Sequence, residues 1–169
     1  PIGLINASYG GSMGEAWVSE DALINSELSY RRFYILTNDT LRYPTRLFNA
    51  MISPIIPYGM KGVIWYQGEA NAGEASYTEY KRLQEILLAD WRARWGEAFP
   101  FIFAQISAHT EGTRFEYVRE AQAQFANDSM NTAMVVTIDV GDPTTIHPKD
   151  KATVAHRMAL AAKGMVYNM

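Results

Sequence analysis

A chain of 169 residues, 48% of them hydrophobic and 12% aromatic, is long enough to fold as one domain with its own core. Its formal net charge of −3 gives no electrostatic reason to expect nucleic acid or an anionic membrane as a partner, and no apolar run approaches the length of a membrane span. The absence of cysteine excludes disulfides, thiol catalysis and thiolate metal sites.

Strand-like and helix-like segments alternate along the chain. The apolar runs predict strands over residues 2–7, 63–67, 101–106 and 134–139. The helical spacing of apolar residues predicts helices over residues 12–18, 45–56, 74–95, 115–127 and 148–167. Ser12 is expected to cap the first helix, Gly96 to end the third and Pro148 to begin the last, whereas residues 20–43 have no clear period. This order predicts a parallel sheet with helices on both faces.

Two predicted strands end abruptly in polar side chains. The strand over residues 63–67 leads into Glu69 and Asn71, and the last strand leads into Asp142 and His147. Parallel α/β sheets bind their ligands at the carboxyl ends of the strands. These side chains are therefore expected to line one active-site rim.

The strongest single candidate for chemistry is His147. A neutral imidazole at a strand exit can take a proton from a serine hydroxyl and later return it to a leaving alcohol. The alternative is a loop histidine bonded to the backbone. His109 also follows a predicted strand, and His156 falls within the last helix. Because the three histidines lack the short spacing of zinc sites, we predict no metal.

Three segments together resemble the SGNH-type hydrolases. They are Pro-Ile-Gly-Leu-Ile-Asn-Ala-Ser-Tyr-Gly-Gly-Ser at residues 1–12, Trp-Tyr-Gln-Gly-Glu-Ala-Asn at residues 65–71 and Ile-His-Pro-Lys-Asp-Lys at residues 146–151. Within that class the chain is most similar to the carbohydrate esterases of the sialate O-acetylesterase and acetylxylan esterase group. The resemblance implies a three-layer α/β/α fold, in which helices cover both faces of a parallel, flavodoxin-like sheet. It covers residues 1–169 as a single, partial domain.

One expected motif is absent. The nucleophilic serine of this family stands in a Gly-Gln-Ser-Asn type block on the first strand, and this chain contains no such block. The segment between Trp17 and Pro44 is also shorter than in the family. With a start at Pro1 and not at Met, the resemblance predicts a fragment or processed chain that lacks the first strand. The serine is then supplied by the remainder of the parent polypeptide or by another chain.

The resemblance also implies a reaction, namely hydrolysis of O-acetyl esters on carbohydrates by a serine–histidine mechanism. The expected partner is an acetylated carbohydrate substrate, with no cofactor, no nucleic acid and no membrane. The family implies an extracytoplasmic location, either periplasmic or secreted. The alternative is a non-catalytic carbohydrate-binding remnant that keeps the fold and the pocket without the nucleophile.

The catalytic histidine implied by the resemblance is His147. It needs an orienting acceptor, and SGNH hydrolases commonly place an aspartate three residues before it, where this chain has Thr144. Asp142 is the preferred substitute, because a turn around the following proline can fold it back. Asp139 or a backbone carbonyl are the alternatives.

Glycine and amide groups are the oxyanion donors that the resemblance implies. They are a backbone amide of Gly10 or Gly11 and the side-chain amide of Gln67 or Asn71. Glu69 cannot donate when it is ionised, and is expected to order the loop or to bind a sugar hydroxyl. The structural alternatives are a tight turn at the two glycines and a helix cap at Asn71.

Overall fold

The computed structural model describes residues 2–33, 38–109, 114–147 and 149–167. Within these ranges three parallel strands form one sheet in the order β1-β2-β3. The strands are β1 Val63–Trp65, β2 Phe101–Ala104 and β3 Thr132–Val135. The α-helices are α1 Glu20–Ile24, α2 Tyr80–Trp95, α3 Phe115–Asp128 and α4 Lys151–Tyr167. Among the helices in these ranges, none is both long enough and apolar enough to cross a membrane.

The central strand β2 is apolar and buried at every position, as expected for a strand covered on both faces of a parallel sheet. Phe101 and Phe103 face one side, where Phe125 of α3 packs against their rings at centroid distances of 6.3 and 5.3 Å. Ile102 faces the other side and packs with Met158 of α4. The result is a three-layer α/β/α arrangement, which confirms the predicted parallel sheet with helices on both faces.

The longest predicted helix forms α2 over most of its length. Residues Glu74–Glu79 form a 3-10 helix instead, and the α-helix begins at Tyr80. It ends at Gly96, whose φ of 66° is the left-handed conformation that glycine adopts without strain. Trp91 packs edge-on against Trp65 of β1 at 5.6 Å, and this contact fixes the helix to the sheet.

The strand predicted over residues 2–7 is not formed, and this prediction is wrong. Leu4 is 90% exposed and Ile2 is 74% exposed. The outer edge of β1 is equally bare: it pairs with no strand in the described parts of the chain, and Ile64 is 61% exposed. An isolated strand is unstable without a hydrogen-bonded neighbour. Residues 2–7 therefore have the composition of a strand but no strand beside them to pair with.

Two predicted helices differ from regular α-helices in the structure. Residues 46–55 are helical throughout, as predicted, but beyond residue 47 they form a π-helix, Phe48–Ile52, and then a 3-10 helix, Ser53–Ile55, whose second residue is a proline without an N–H group. Over residues 12–18 the chain forms only the 3-10 turn Gly14–Trp17. Both segments are too short for an α-helix to be stable by itself, so their neighbours decide their conformation.

The segment over residues 20–43, predicted to be irregular, contains α1. The hydroxyl of Ser19 accepts a hydrogen bond from the backbone nitrogen of Ala22 at 3.3 Å and so caps this helix. A serine before two acidic residues is a helix-start signal, which the lack of an apolar period concealed.

The last two predicted elements have different ends in the structure. The strand predicted over residues 134–139 stops at Val135, and a 3-10 turn covers Ile138–Val140. Pro148, the expected first residue of the last helix, lies outside the described residues, and α4 is described from Lys151.

Candidate active site

The loops that follow the three strands meet at the carboxyl edge of the sheet. The loop after β1 contacts the loop after β2 at Gly68, where φ is 152° and an added Cβ would lie 2.7 Å from Cγ2 of Ile106. The loop after β3 approaches as closely at Gly141, where an added Cβ would lie 2.7 Å from the backbone nitrogen of Ala108. The three loops therefore form one packed surface, and glycine is needed at both contacts.

A network of buried polar side chains lies beneath this surface. Asn71 is fully buried, and its Oδ1 accepts hydrogen bonds from Nε2 of Gln67 at 2.7 Å and from the backbone nitrogen of Gly14 at 2.9 Å. Its Nδ2 donates to Oε2 of Glu15 at 2.9 Å. Glu15 in turn pairs with Nη1 of Arg31 at 2.5 Å. The network thus connects the loop after β1 to the first turn of the chain.

Side chains from α2 and α3 complete the network around Gln67. Its Nε2 donates a second hydrogen bond to the carbonyl oxygen of Ser12 at 3.1 Å. The Tyr80 hydroxyl lies 2.8 Å from both Oε1 and the backbone oxygen of Gln67, and burial holds the pKa of Tyr80 well above its ordinary value. Gln122 Nε2 donates to the same backbone oxygen at 3.2 Å. Both amide hydrogens of Gln67 therefore already have acceptors inside the protein.

The four predicted oxyanion donors lie in different surroundings. Gly10 has open space around it, because an added Cβ would meet nothing within 4 Å. Gly11 has a φ of 67° beside the guanidinium of Arg42, which fits the tight-turn alternative. The side chains of Gln67 and Asn71 are bonded within the network, and Asn71 does not cap a helix. Their role as oxyanion donors stays a prediction. Their contacts give them a second role, which is to hold the loop over residues 10–14, called the glycine loop below.

Sequence reasoning missed four members of the network, Glu15, Arg31, Tyr80 and Gln122. Tyr80 and Gln122 lie on the buried faces of α2 and α3, where helical spacing by itself predicts only packing. A polar side chain on an otherwise apolar helix face predicts a buried hydrogen bond, so this signal was available for Gln122. Arg31 lies in a segment without a period, and nothing in its neighbourhood of the sequence indicates that it is buried.

The carboxyl group of Glu69 lies within electrostatic range of His147 and Lys151. The Glu69 side chain is half-buried, and burial raises its pKa, while the charges of His147 and Lys151 act in the opposite direction. The exposed ring of His147 forms no hydrogen bond with a residue in the described ranges, and its backbone nitrogen donates to Oγ1 of Thr145 at 3.2 Å. The two side chains therefore interact electrostatically across the carboxyl edge of the sheet.

The two aspartates proposed to orient His147 have other partners. Oδ1 of Asp142 accepts hydrogen bonds from the backbone nitrogen and Oγ1 of Thr144 at 2.9 and 2.6 Å, and these bonds lower the pKa of Asp142. Asp139 pairs with Arg157 at 2.6 Å, which lowers the pKa of Asp139 to about 2. Within the described residues neither carboxylate is hydrogen-bonded to the histidine. The orienting role of Asp142 stays a prediction, and its contacts fit the turn alternative.

Two serines near the glycine loop are engaged locally. The buried hydroxyl of Ser12 donates to the carbonyl oxygen of Tyr9 at 2.7 Å and accepts from Nε1 of Trp17 at 2.9 Å. It therefore does not cap the turn that follows, contrary to the sequence-based prediction. The hydroxyl of Ser8 donates to Oδ1 of Asn6 at 2.7 Å. Neither serine has the partner expected of an activated nucleophile.

The loop after β2 contains His109. Its ring lies 5.4 Å from that of Phe115, and its buried Nδ1 has no hydrogen-bond partner among the described residues. The buried hydroxyls of Tyr66 and Ser107 also lack one there. In the same parts of the chain, no three histidine, aspartate or glutamate side chains are grouped to hold a metal ion.

Known proteins share both the sequence and the fold. Residues 1–165 match the family described as "Carbohydrate esterase, sialic acid-specific acetylesterase". The structure is similar to that of XAC1771, a carbohydrate acetylesterase from Xanthomonas citri, with a TM-score of 0.84 and 34% identity over 97% of this chain and 36% of that one. The fold is thus that of the carbohydrate esterase class.

Two curated relatives carry the name sialate O-acetylesterase. The mouse protein is 34% identical over 215 aligned positions, covering 99% of this chain and 40% of its own length. The human protein is 34% identical over 191 positions, covering 99% of this chain and 36% of its own length. The chain belongs to the family of sialic acid-specific acetylesterases, and it spans about two fifths or less of the length of these relatives.

The raised pKa of Glu69 predicts a pH dependence of stability. The folded state binds a proton at this carboxyl more tightly than the unfolded state does, so the free energy of unfolding falls as pH rises from the unfolded pKa of about 4.3 through the higher folded pKa. The variant Glu69→Gln, uncharged at every pH, should lack this fall. Urea unfolding across this pH range measures the difference between the two proteins.

The exposed residue Glu97 provides the control for this measurement. The variant Glu97→Gln should keep the pH dependence of the unsubstituted chain. If Glu69→Gln and the unsubstituted chain lose stability in parallel as pH rises, the carboxyl of Glu69 does not carry the effect.

Proposed function

We propose that the polypeptide containing this chain is a carbohydrate O-acetylesterase, and that this chain supplies its catalytic histidine and its oxyanion loops. The observation that carries this proposal is the match of residues 1–165 to a family of acetylesterases. The exposed ring of His147 at the carboxyl edge of a parallel sheet supports it, because substrates of α/β enzymes bind at that edge. The substrate class is an acetylated carbohydrate.

The proposed reaction has two halves. A serine hydroxyl from outside this chain attacks the acetyl carbonyl carbon while His147 takes its proton, and a backbone amide at Gly10 or Gly11 stabilises the oxyanion. His147 then gives the proton to the sugar oxygen as the ester bond breaks, which leaves acetyl-serine and a free sugar hydroxyl. In the second half His147 takes a proton from water, which attacks the acetyl-serine. Acetate leaves and the serine recovers its proton.

In this proposal Glu69 is the carboxylate that stabilises the imidazolium of His147. An imidazolium forms each time the histidine takes a proton, and a nearby carboxylate lowers the energy of that state. The electrostatic interaction between Glu69 and His147 supports this role, whereas the hydrogen bonds of Asp142 and Asp139 go to other residues.

A groove beside β1 supports an external source for the serine. It has a volume of about 400 Å³ and is lined by residues of β1, of the loop after it and of the N-terminal half of α4. The residues that line it are mostly apolar: Ile64, Tyr66, Lys151, Val154, Ala155, Met158 and Ala159. An apolar groove along an unpaired strand edge fits an added strand, which supplies both backbone hydrogen bonds and apolar side chains.

In a flavodoxin-like sheet, one missing strand would leave two other segments without a pairing partner, here residues 2–7 and β1. In the order 2-1-3-4-5 the first strand lies between the second and the third. If β1, β2 and β3 correspond to strands three to five, and residues 2–7 to strand two, then the absent strand one would pair with both. The exposed side chains of Leu4 and Ile64 lie on those two neighbours.

The alternative function is a non-catalytic carbohydrate-binding remnant of the same fold. The local hydrogen bonds of Ser8 and Ser12 favour it for this chain taken by itself, because neither hydroxyl is activated. The two functions predict different results when a first strand with the serine block is added. The added strand produces esterase activity if the chain is part of an esterase, and produces no activity if the chain is a binding remnant.

A rate comparison with p-nitrophenyl acetate tests the proposal. The 169-residue chain alone should barely hydrolyse this ester, whereas the chain preceded by a strand with a Gly-Gln-Ser-Asn block should hydrolyse it with burst kinetics from the acetyl-enzyme. The same extended protein with alanine for that serine is the matched control. Robust turnover by the chain alone, lost on Ser12→Ala or Ser8→Ala, would instead place the nucleophile within these residues.

A further inference from the structure

Two tyrosines form an aromatic pair on the surface of the helical layer. Tyr77, in the 3-10 helix before α2, and Tyr117, in the first turn of α3, have ring centroids 5.0 Å apart and planes tilted by 31°. Tyr117 is 53% exposed. The guanidinium of Arg114 lies 4.9 Å from the centroid of the Tyr77 ring. The pair is therefore held in place from one side and open to solvent on another.

The tyrosine pair lies at the same edge of the sheet as the candidate active site. Helices α2 and α3 begin at the edge where β1 and β2 end, because the strands are parallel. The hydroxyl of Ser76, next to Tyr77, donates to the carbonyl oxygen of Asn71 at 2.6 Å. The first turn of α3 contains both Tyr117 and Phe115, and the ring of Phe115 contacts that of His109. A residue within two positions of each tyrosine thus contacts a loop of the site.

A shallow depression extends from the pair along the seam between α2 and α3. Its volume is about 470 Å³, within the range of small-ligand sites. Lys81 and Glu85 line it on α2, and Glu120 and Gln124 line it on α3. Between them lies Ala121, whose short side chain leaves space at the bottom. The depression therefore combines aromatic faces at one end with donors, acceptors and charges of both signs along its sides.

We propose that Tyr77 and Tyr117 form a sugar-stacking subsite, which binds a second residue of an oligosaccharide next to the residue that carries the acetyl ester. A pyranose presents C–H groups on its faces and hydroxyls around its edge, so one face packs on an aromatic ring while the hydroxyls meet polar groups. Charges of both signs fit a polyhydroxylated ligand better than a polyanion. The inference rests on the proposed function, because the acetylated substrate is what makes the ligand a carbohydrate.

Binding of sugars to the 169-residue chain is the first test, and it needs neither the serine nor an ester. The probes are xylotetraose and 3′-sialyllactose, titrated to millimolar concentration while protein NMR resonances are recorded. We expect shifts in the ring resonances of Tyr77 and Tyr117 with at least one probe. A titration in which neither probe shifts these resonances overturns the proposal.

Four variants separate stacking from other effects. Tyr117→Ala should weaken binding about tenfold, whereas Tyr117→Phe and Tyr117→Trp, which keep an aromatic face, should bind as the unsubstituted chain does. The control is Tyr58→Ala, at a tyrosine that is 68% exposed elsewhere on the surface. The far-ultraviolet circular dichroism of each variant should be unchanged, because Tyr117 is largely exposed. Equal affinity of Tyr117→Ala and the unsubstituted chain contradicts the stacking role.

Kinetics distinguish this inference from the proposed function. They use the serine-bearing protein, which is the chain preceded by a strand with the Gly-Gln-Ser-Asn block. Tyr117→Ala should raise KM about tenfold for an acetylated xylo-oligosaccharide and leave kcat/KM for p-nitrophenyl acetate unchanged, because that ester has no second sugar. If the unsubstituted protein hydrolyses neither ester, the esterase proposal fails while the binding result still decides the subsite. If Tyr117→Ala changes neither kcat nor KM for the oligosaccharide, the proposed subsite is wrong and the esterase proposal is unaffected.

Discussion

Replacing His147 by alanine in the serine-bearing protein will lower kcat for p-nitrophenyl acetate by about four to six orders of magnitude. Nucleophile and base act as one unit in serine hydrolases, so removal of the base costs nearly as much as removal of the whole machinery. The ring of His147 is exposed and makes no hydrogen bond in the described parts of the chain, so its loss should not change the fold. Steady-state kinetics with matched circular dichroism spectra measure the effect.

Two carboxylate variants show which group supports the histidine. Glu69→Gln should lower kcat about a hundredfold or more, because the imidazolium then forms without a carboxylate beside it. Asp142→Asn should cost less than about tenfold, because the carboxylate of Asp142 is bonded to Thr144. The opposite ranking would restore Asp142 as the third member of the site. Full activity of His147→Ala would remove the histidine role and with it most of the case for an esterase.

Replacing Arg31 by alanine will lower the free energy of unfolding by about 3–5 kcal/mol. Arg31 and Glu15 are both almost completely buried and pair at 2.5 Å. The substitution leaves the carboxylate of Glu15 buried without its counter-charge, and the hydrogen bond from Asn71 alone does not replace it. Urea unfolding followed by circular dichroism measures the loss.

A surface ion pair provides the comparison for Arg31. Arg82 pairs with Glu27 on the exposed side of α2, and both side chains are about half exposed. Arg82→Ala should therefore cost less than about 1 kcal/mol, because water screens the pair and solvates the remaining carboxylate. Equal losses for Arg31→Ala and Arg82→Ala would show that the buried network does not stabilise the fold.

The parts of the fold that follow from local sequence were predictable. Strand β2 could be found because Phe101–Ala104 are all apolar and follow a proline, and α2 could be found because its apolar residues recur at helical spacing. Residues 2–7 have an equally clear strand composition. They failed as a strand because pairing depends on a neighbour distant in sequence, which no local pattern reports.

The candidate site was predictable as a place but not as a set of contacts. The polar residues after β1 and β3 lie at the carboxyl edge of the sheet, as the sequence predicted, because all parallel strands end there. Sequence could not show that the amides of Gln67 and Asn71 turn inward, since this depends on Glu15 and Arg31 from a remote segment. It also could not show that Glu69 lies within electrostatic range of His147, because the distance between loops on different strands is a tertiary property.

If the proposed external strand exists, the edge of β1, which pairs with no strand in the described parts of the chain, would receive it in trans. Most of the affinity in strand addition comes from backbone hydrogen bonds, which every sequence can form, while specificity comes from the alternate side chains that enter a pocket. Ile64 and Met158 in the groove would therefore select β-branched or aromatic residues at every second position of an incoming peptide. Restoration of activity by a peptide would be a second-order process, so its half-time would shorten in proportion to peptide concentration.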